Sequence, residues 1–178
     1  FLSSLEDSGS ATARSGWAAS HLVLEDDEKI LGLVPCYLKS NSMGEYVFDH
    51  GWADAFTRAG GNYYPKLQVS APFTPATGPR LLADAIHKPK LLKALEAATQ
   101  QLGASSAHIT FLPESDWASA PSNWLKRQDI QFHWHNQDFK TFAEFLSSLS
   151  SSKRKNIRKE REAVAARGIN FEALTGKD

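Results

Sequence analysis

The sequence predicts a mixed α/β domain, a central sheet with helices on its flanks. Apolar residues recur at two periods, every second residue in some stretches and every third or fourth in others. The two kinds of stretch alternate along the chain instead of separating into blocks. Between Leu67 and Leu112 a strand-like run, a long helical run and a second strand-like run follow one another, which is the crossover that parallel strands require.

Each element has its own signal. Phe1, Leu2 and Leu5 share a helical face, and Ser8-Gly9-Ser10 stops that helix. Trp17 to Leu24 and Ile30 to Leu38 read as antiparallel strands joined by a solvated acidic loop, Glu25-Asp26-Asp27-Glu28. Pro35 implies a bulge or an edge position in the second of them. Lys39 to Gly44 is a polar connection, and Val47 to Asp49 reads as a short strand. A short amphipathic helix from Trp52 to Ala59 ends at Gly60-Gly61. Leu67 to Phe73 is a strand, and Gln68, Ser70 and Pro72 make one of its faces polar. Lys90 to Leu102 is a helix, with Leu91, Leu92, Leu95, Ala98 and Leu102 on one face and Gly103 as its cap. Ala107 to Leu112 is a strand, Trp124 to Arg127 a short helix, and Gln131 to His135 a strand with Phe132 and Trp134 on one face. Phe142, Phe145, Leu146 and Leu149 make Thr141 to Leu149 helical. Ser150 or Ser151 caps a further helix that runs to Arg167 and stops at Gly168, and Ile169 to Leu174 is the last strand.

Composition sets bounds. At 178 residues, with 42% apolar side chains, the chain can bury a core. Twenty basic and twenty acidic side chains give no net charge, so total charge predicts no polyanion partner. The distribution is uneven: residues 153–167 hold seven basic and two acidic side chains. A single cysteine, Cys36, excludes a disulfide framework and fits a reducing, cytoplasmic location. No apolar run is long enough to span a bilayer. The chain begins at Phe1 inside a helix-like segment without a signal peptide, and both ends read as boundaries within a longer protein.

The stretch Met43–Leu82 mixes aromatics, single charges, glycines and prolines more densely than any other, and reads as the floor and rim of a site. Glu45 and Asp49, four residues apart on a strand, would share a face. They suit acid/base chemistry, a hold on Lys66 or Arg80, or a cap for the next helix, and the structural roles are favoured. Tyr63, Tyr64 and Lys66 suit a sugar or nucleotide pocket, or equally a buried aromatic turn. Lys39, at the end of an apolar strand, is an anion-binding candidate. Arg80, in Thr77-Gly78-Pro79-Arg80, is either a ligand contact or a surface residue of a Pro-Gly turn. In the basic helix Arg154, Arg158 and Arg161 share a face, with Lys153 beside them, a pattern suited to phosphate or nucleic acid. The alternative is a solvated face paired with Glu160 and Glu162. His133 and His135 share a strand face without a third ligand nearby, so no metal is expected. Ser105 and Ser106 lack a nucleophile-elbow pattern.

The runs GEYVFD, WADA, YYPKLQ, PFTP and GPRLL, in that order and at close spacing, resemble the FemAB-like peptidoglycan biosynthesis/recognition proteins of the GNAT-like N-acyltransferase superfamily. FLSSLEDSGS, GW, PCYLK, QFHWHN and KRKNIRKERE extend the resemblance over nearly the whole chain, which matches the N-terminal half of such proteins. The resemblance implies a GNAT-like fold, with a first domain over residues 1–136 and the start of a second over 137–178. It implies transfer of an amino acid from aminoacyl-tRNA to an amine on a peptidoglycan precursor by the full-length protein, with this half expected to be silent alone, no resident cofactor and no catalytic residue yet identifiable. Lys39, Asp49, Tyr63, Tyr64, Lys66 and Arg80 would line the acceptor cleft, while Lys153, Arg154, Arg158 and Arg161 would hold tRNA or the precursor's diphosphate. An acyl-CoA-dependent N-acyltransferase is the first alternative. The R/Q-x-x-G-x-G/A loop that such enzymes place after the strand is missing around Gly78, and Pro79 removes a donor. A non-catalytic nucleic-acid or glycan binding module is the second alternative.

Overall fold

In the computed structural model, which describes residues 1–176, both long strands expected between Trp17 and Leu38 are divided in two. After helix α1 (Leu2–Asp7) come strands β1 (Trp17–Ala19), β2 (Leu22–Asp26), β3 (Lys29–Val34) and β4 (Cys36–Lys39). Pro35 is the second break, because it has no N–H to give to a ladder. The inner pair β2 and β3 forms a tight hairpin through Asp27 and Glu28, whose φ values of 43° and 67° are those of a two-residue primed turn. The outer pair β1 and β4 is also antiparallel but belongs to a different sheet.

The chain continues through α2 (His50–Arg58), β5 (Lys66–Val69), β6 (Leu82–Ala83), α3 (Lys88–Gln101), β7 (Ala107–Ile109) and α4 (Glu114–Ser119). Two sheets result where one was expected: a mixed sheet in the order β1-β4-β5-β7 and an antiparallel sheet in the order β2-β3-β6. β5 pairs antiparallel with β4 and parallel with β7, so β5, α3 and β7 make the expected crossover. The apolar stripe of α3 (Leu91, Leu92, Leu95 and Ala98) packs with Val34, Cys36, Leu67, Val69 and Leu81 into the main core. Gly32 lets the second sheet approach this core: a Cβ there would meet the Ala83 Cβ at 2.8 Å and Leu91 Cδ1 at 3.2 Å.

These elements form one compact unit, Phe1–Lys126; a second unit is Arg127–Asp178. The second contains α5 (Phe142–Ser148) and α6 (Ser151–Ala165). Thr141 caps α5 by accepting from the Glu144 N–H at 3.2 Å, and Ser150 caps α6 by accepting from the Lys153 N–H at 3.5 Å. α6 folds back beside α5: Arg154 Nη1 donates to the Ser147 carbonyl at 3.4 Å, and the Arg161 guanidinium lies 4.6 Å from the Phe142 ring centre.

Four expected elements do not form. Val47–Asp49 is a loop, with Tyr46 and Phe48 in the left-handed region at φ 57° and 52°. Gln131–His135 and Ile169–Leu174 keep their alternation but pair with no strand among the described residues, and without a ladder a strand pattern stays coil. Trp124–Arg127 is not helical; the Trp124 indole instead donates to Glu96 Oε1 at 2.7 Å and packs on the core. Among the described residues no helix is long and apolar enough to cross a membrane.

Candidate functional site

The alternation seen in β5 carries the site. Its odd positions, Leu67 and Val69, face α3, while Lys66, Gln68 and Ser70 face the other way, and all are buried. Antiparallel register sets Lys39 opposite Lys66 and Tyr37 opposite Gln68. On the parallel side Gln68 is in register with His108. One face of the mixed sheet is therefore the apolar core, and the other is a buried polar floor.

Two lysines side by side on adjacent strands repel one another. Both are fully buried, so they need counter-charges close by. The segment from Ser42 to Asp49 supplies them. Lys66 Nζ donates to Glu45 Oε2 at 2.8 Å, Asp49 Oδ2 at 2.5 Å and Ser42 Oγ at 3.0 Å, which uses all three of its hydrogens. Lys39 Nζ donates to the Met43 carbonyl at 3.0 Å, stands 3.5 Å from the centre of the Trp17 ring and is 4.0 Å from Glu45 Oε1. On an extended strand Glu45 and Asp49 would sit about 13 Å apart, too far to meet one ammonium. The loop curls because both carboxylates bond to Lys66.

The tyrosines complete the cluster. Tyr63 OH donates to Asp49 Oδ2 at 2.7 Å, and Tyr64 OH shares a 2.7 Å hydrogen bond with Ser42 Oγ. Tyr63 stands edge-on to both Tyr64 and His108. Ser106 Oγ is 2.8 Å from His108 Nε2, and Ser105 Oγ donates to the Tyr63 carbonyl. Packing holds the loop as well as charge does. Gly44, at φ 77°, lets the Phe73 ring approach to 2.6 Å from where a Cβ would be, and Phe73 leans on Trp17, which lies against Lys39.

Electrostatics follow from this geometry. Burial pushes the Asp49 carboxyl up, but hydrogen bonds from Lys66, Ser42 and Tyr63 outweigh it and hold the group at about 2. Burial raises Glu45 above the usual carboxylate range despite Lys66. Burial also draws Lys39 down, with Glu45 opposing and Lys66 adding to the effect. Burial and then Asp49 raise Tyr63, so it remains a hydrogen-bond donor. His108 is lowered to about 4, by burial first and by Lys66 second, and is neutral near pH 7.

Five of the expected residues, Lys39, Asp49, Tyr63, Tyr64 and Lys66, thus meet in one cluster. Asp49 stands at the start of α2 but makes no side-chain cap; it holds Lys66, not Arg80. Arg80 is neither on the surface nor in this cluster. It is buried and donates to three backbone carbonyls, Thr110 at 3.0 Å, Pro79 at 3.3 Å and Ala76 at 2.6 Å. The Gly78 N–H donates to the Phe111 carbonyl, so the loop's donors face its own chain. Lys153, Arg154, Arg158 and Arg161 belong to the second unit, on α6, where Lys153, Arg158 and Arg161 are exposed and Arg154 is half-buried. Arg154, Arg158, Lys155 and Lys159 line a shallow depression with Ser151 and Glu162. His133 and His135 stack at 6.3 Å, and no third ligating group joins them among the described residues.

Ser42, Trp17 and His108 belong to the cluster without having been singled out. Nothing about an isolated serine or tryptophan marks it beforehand. His108 had a usable signal, its register beside the polar face of β5.

A family model described as peptidoglycan biosynthesis/recognition, FemAB-like, matches residues 1–178, the entire chain. No curated protein and no solved structure matches it. The mixed sheet with its β-α-β crossover and flanking helices is consistent with the GNAT-like fold of that family. The chain belongs to the FemAB-like family of the GNAT-like N-acyltransferase superfamily.

Proposed function

We propose that the protein serves aminoacyl transfer to a peptidoglycan precursor, taking its amino acid from aminoacyl-tRNA in the cytoplasm. The acceptor amine attacks the ester carbonyl, a tetrahedral oxyanion forms, and the 3′-hydroxyl of the tRNA leaves as the ester bond breaks. Lys39, Asp49, Tyr63, Tyr64 and Lys66 form the floor of the acceptor cleft, and Arg80 fixes the neighbouring loop. Lys153, Arg154, Arg158 and Arg161 contact phosphates of the tRNA or the precursor. No resident cofactor is required.

The family match carries the transferase reading. One observation favours tRNA over acyl-CoA as donor. A pyrophosphate cradle needs backbone N–H groups turned outward. At residues 77–80 the Gly78 N–H is taken by Phe111, Pro79 has none, and Arg80 is spent on carbonyls.

The test is a transfer assay of the full-length protein with radiolabelled aminoacyl-tRNA and an amine-bearing precursor, run beside labelled acetyl-CoA. Label appearing on the precursor from tRNA alone is the expected result. Label arriving from acetyl-CoA alone, or from neither donor, rejects the reading.

A further inference from the structure

Glu45 fits its place between the two lysines poorly. Its Oε2 meets Lys66 at 2.8 Å, but its Oε1 has no hydrogen-bond partner and stops 4.0 Å short of Lys39 Nζ. A buried acceptor without a donor carries a desolvation cost that nothing returns. Lys39 in turn has one carbonyl and an aromatic face where an ammonium has three hydrogens to give. A planar carboxylate arriving from the loop satisfies one lysine and misses the other.

Phe73 holds the loop at Gly44; beyond that point the loop is under backbone strain and leaves its aromatic side chains in solvent. Tyr46 and Phe48 both hold left-handed backbone, which is unfavourable for bulky residues. Their side chains gain little in return: Phe48 is 77% exposed, Tyr46 47% and nearby Met43 69%. Swinging residues 45–48 outward about Gly44 would forfeit little apolar burial and would relax both residues. Asp49 would stay, because Tyr63 also bonds to it and it leads directly into α2.

We propose that Lys39 and Lys66 form a binding site for a phosphate-class anion, and that Glu45 occupies this site as a stand-in until such an anion displaces it. A free tetrahedral anion is not tethered to the loop and offers acceptors in four directions, so it can meet both ammonium groups where Glu45 reaches Lys66 at 2.8 Å and Lys39 only at 4.0 Å. The Ser42–Tyr64 pair shares a single hydrogen bond and so leaves one hydroxyl hydrogen to offer, while Tyr63 keeps its own on Asp49. The proposal rests on the reading of Lys39 and Lys66 as substrate contacts, and adds that the resting cleft is closed by its own chain.

The test titrates the full chain with inorganic pyrophosphate by calorimetry. It is run in the Arg154→Ala/Arg158→Ala background, so that binding by α6 is reduced and is the same in every protein compared. Glu45→Ala should bind about tenfold more tightly or better, since the competent state is no longer a minor population. Adding Lys39→Met should abolish that gain. Equal affinity with and without Glu45, in proteins of the same circular dichroism, overturns the proposal. If Glu45→Ala does not fold, hydrogen exchange on the protein with Glu45 intact decides. Pyrophosphate should speed exchange at residues 45–48, and unchanged exchange overturns the proposal. No acyl donor is present, so failure here leaves the transfer assay standing, and failure of transfer leaves this result standing.

Discussion

Lys66 commits every ammonium hydrogen to Ser42, Glu45 and Asp49, and this makes it the residue on which the cluster depends. Lys66→Met removes the shared partner of two buried carboxylates. At pH 7 it should cost about 3–5 kcal/mol in urea unfolding, the usual result of leaving buried charge uncompensated. At pH 3 the loss should shrink, because the stranded carboxylates take up protons. His108 gives a second pH signature. Its folded value near 4 lies below the ordinary 6.5, so the unfolded chain takes up a proton that the folded chain refuses. The stability it contributes is complete above pH 6.5 and drains away as pH falls towards 4. His108→Asn should flatten that part of a melting-temperature profile; an unchanged slope would place the titration elsewhere. At this scale the sequence was informative about residue type and less so about geometry. The density of Tyr63, Tyr64, Lys66 and Asp49 pointed to side chains that do meet in one cluster. The fate of Arg80 was hidden, because three carbonyl acceptors 1, 4 and 30 residues away leave no trace in side-chain identity.

Elements with a local cause were legible, and elements with a distant cause were not. α3 shows its stripe and its closing glycine within fifteen residues, and α6 announces itself by Ser150. Pro35 was read as an irregularity, yet its larger effect is to send β3 and β4 to different sheets, which is decided by pairing with β2 and β5. GEYVFD alternates like a strand, but Lys66 pulls on it from another element, and the curl that results overrides propensity. The core side of α3 is where single changes should matter most. Leu95 is fully buried between the sheets' apolar residues, so Leu95→Ala should cost about 2–5 kcal/mol by chemical denaturation, whereas truncating an exposed neighbour such as Lys93 should cost little.

For the whole chain, neutrality conceals an asymmetry. On α6 Arg158 is exposed, and Arg154 is held by one long hydrogen bond to the Ser147 carbonyl. Arg154→Ala with Arg158→Ala should therefore weaken RNA binding and lower the slope of log affinity against log salt by about 1–2, with only a small fall in melting temperature from the lost Ser147 contact. A large fall in melting temperature would make these residues structural. The buried thiol has a consequence of its own. Cys36 sits fully enclosed in β4, between the apolar core and its neighbouring strands, and burial pushes it up to about 12. A disulfide reagent at neutral pH should leave it untouched until the mixed sheet parts. With no second cysteine to confuse the signal, its rate of colour development is a ready-made clock for how often the centre of the molecule opens.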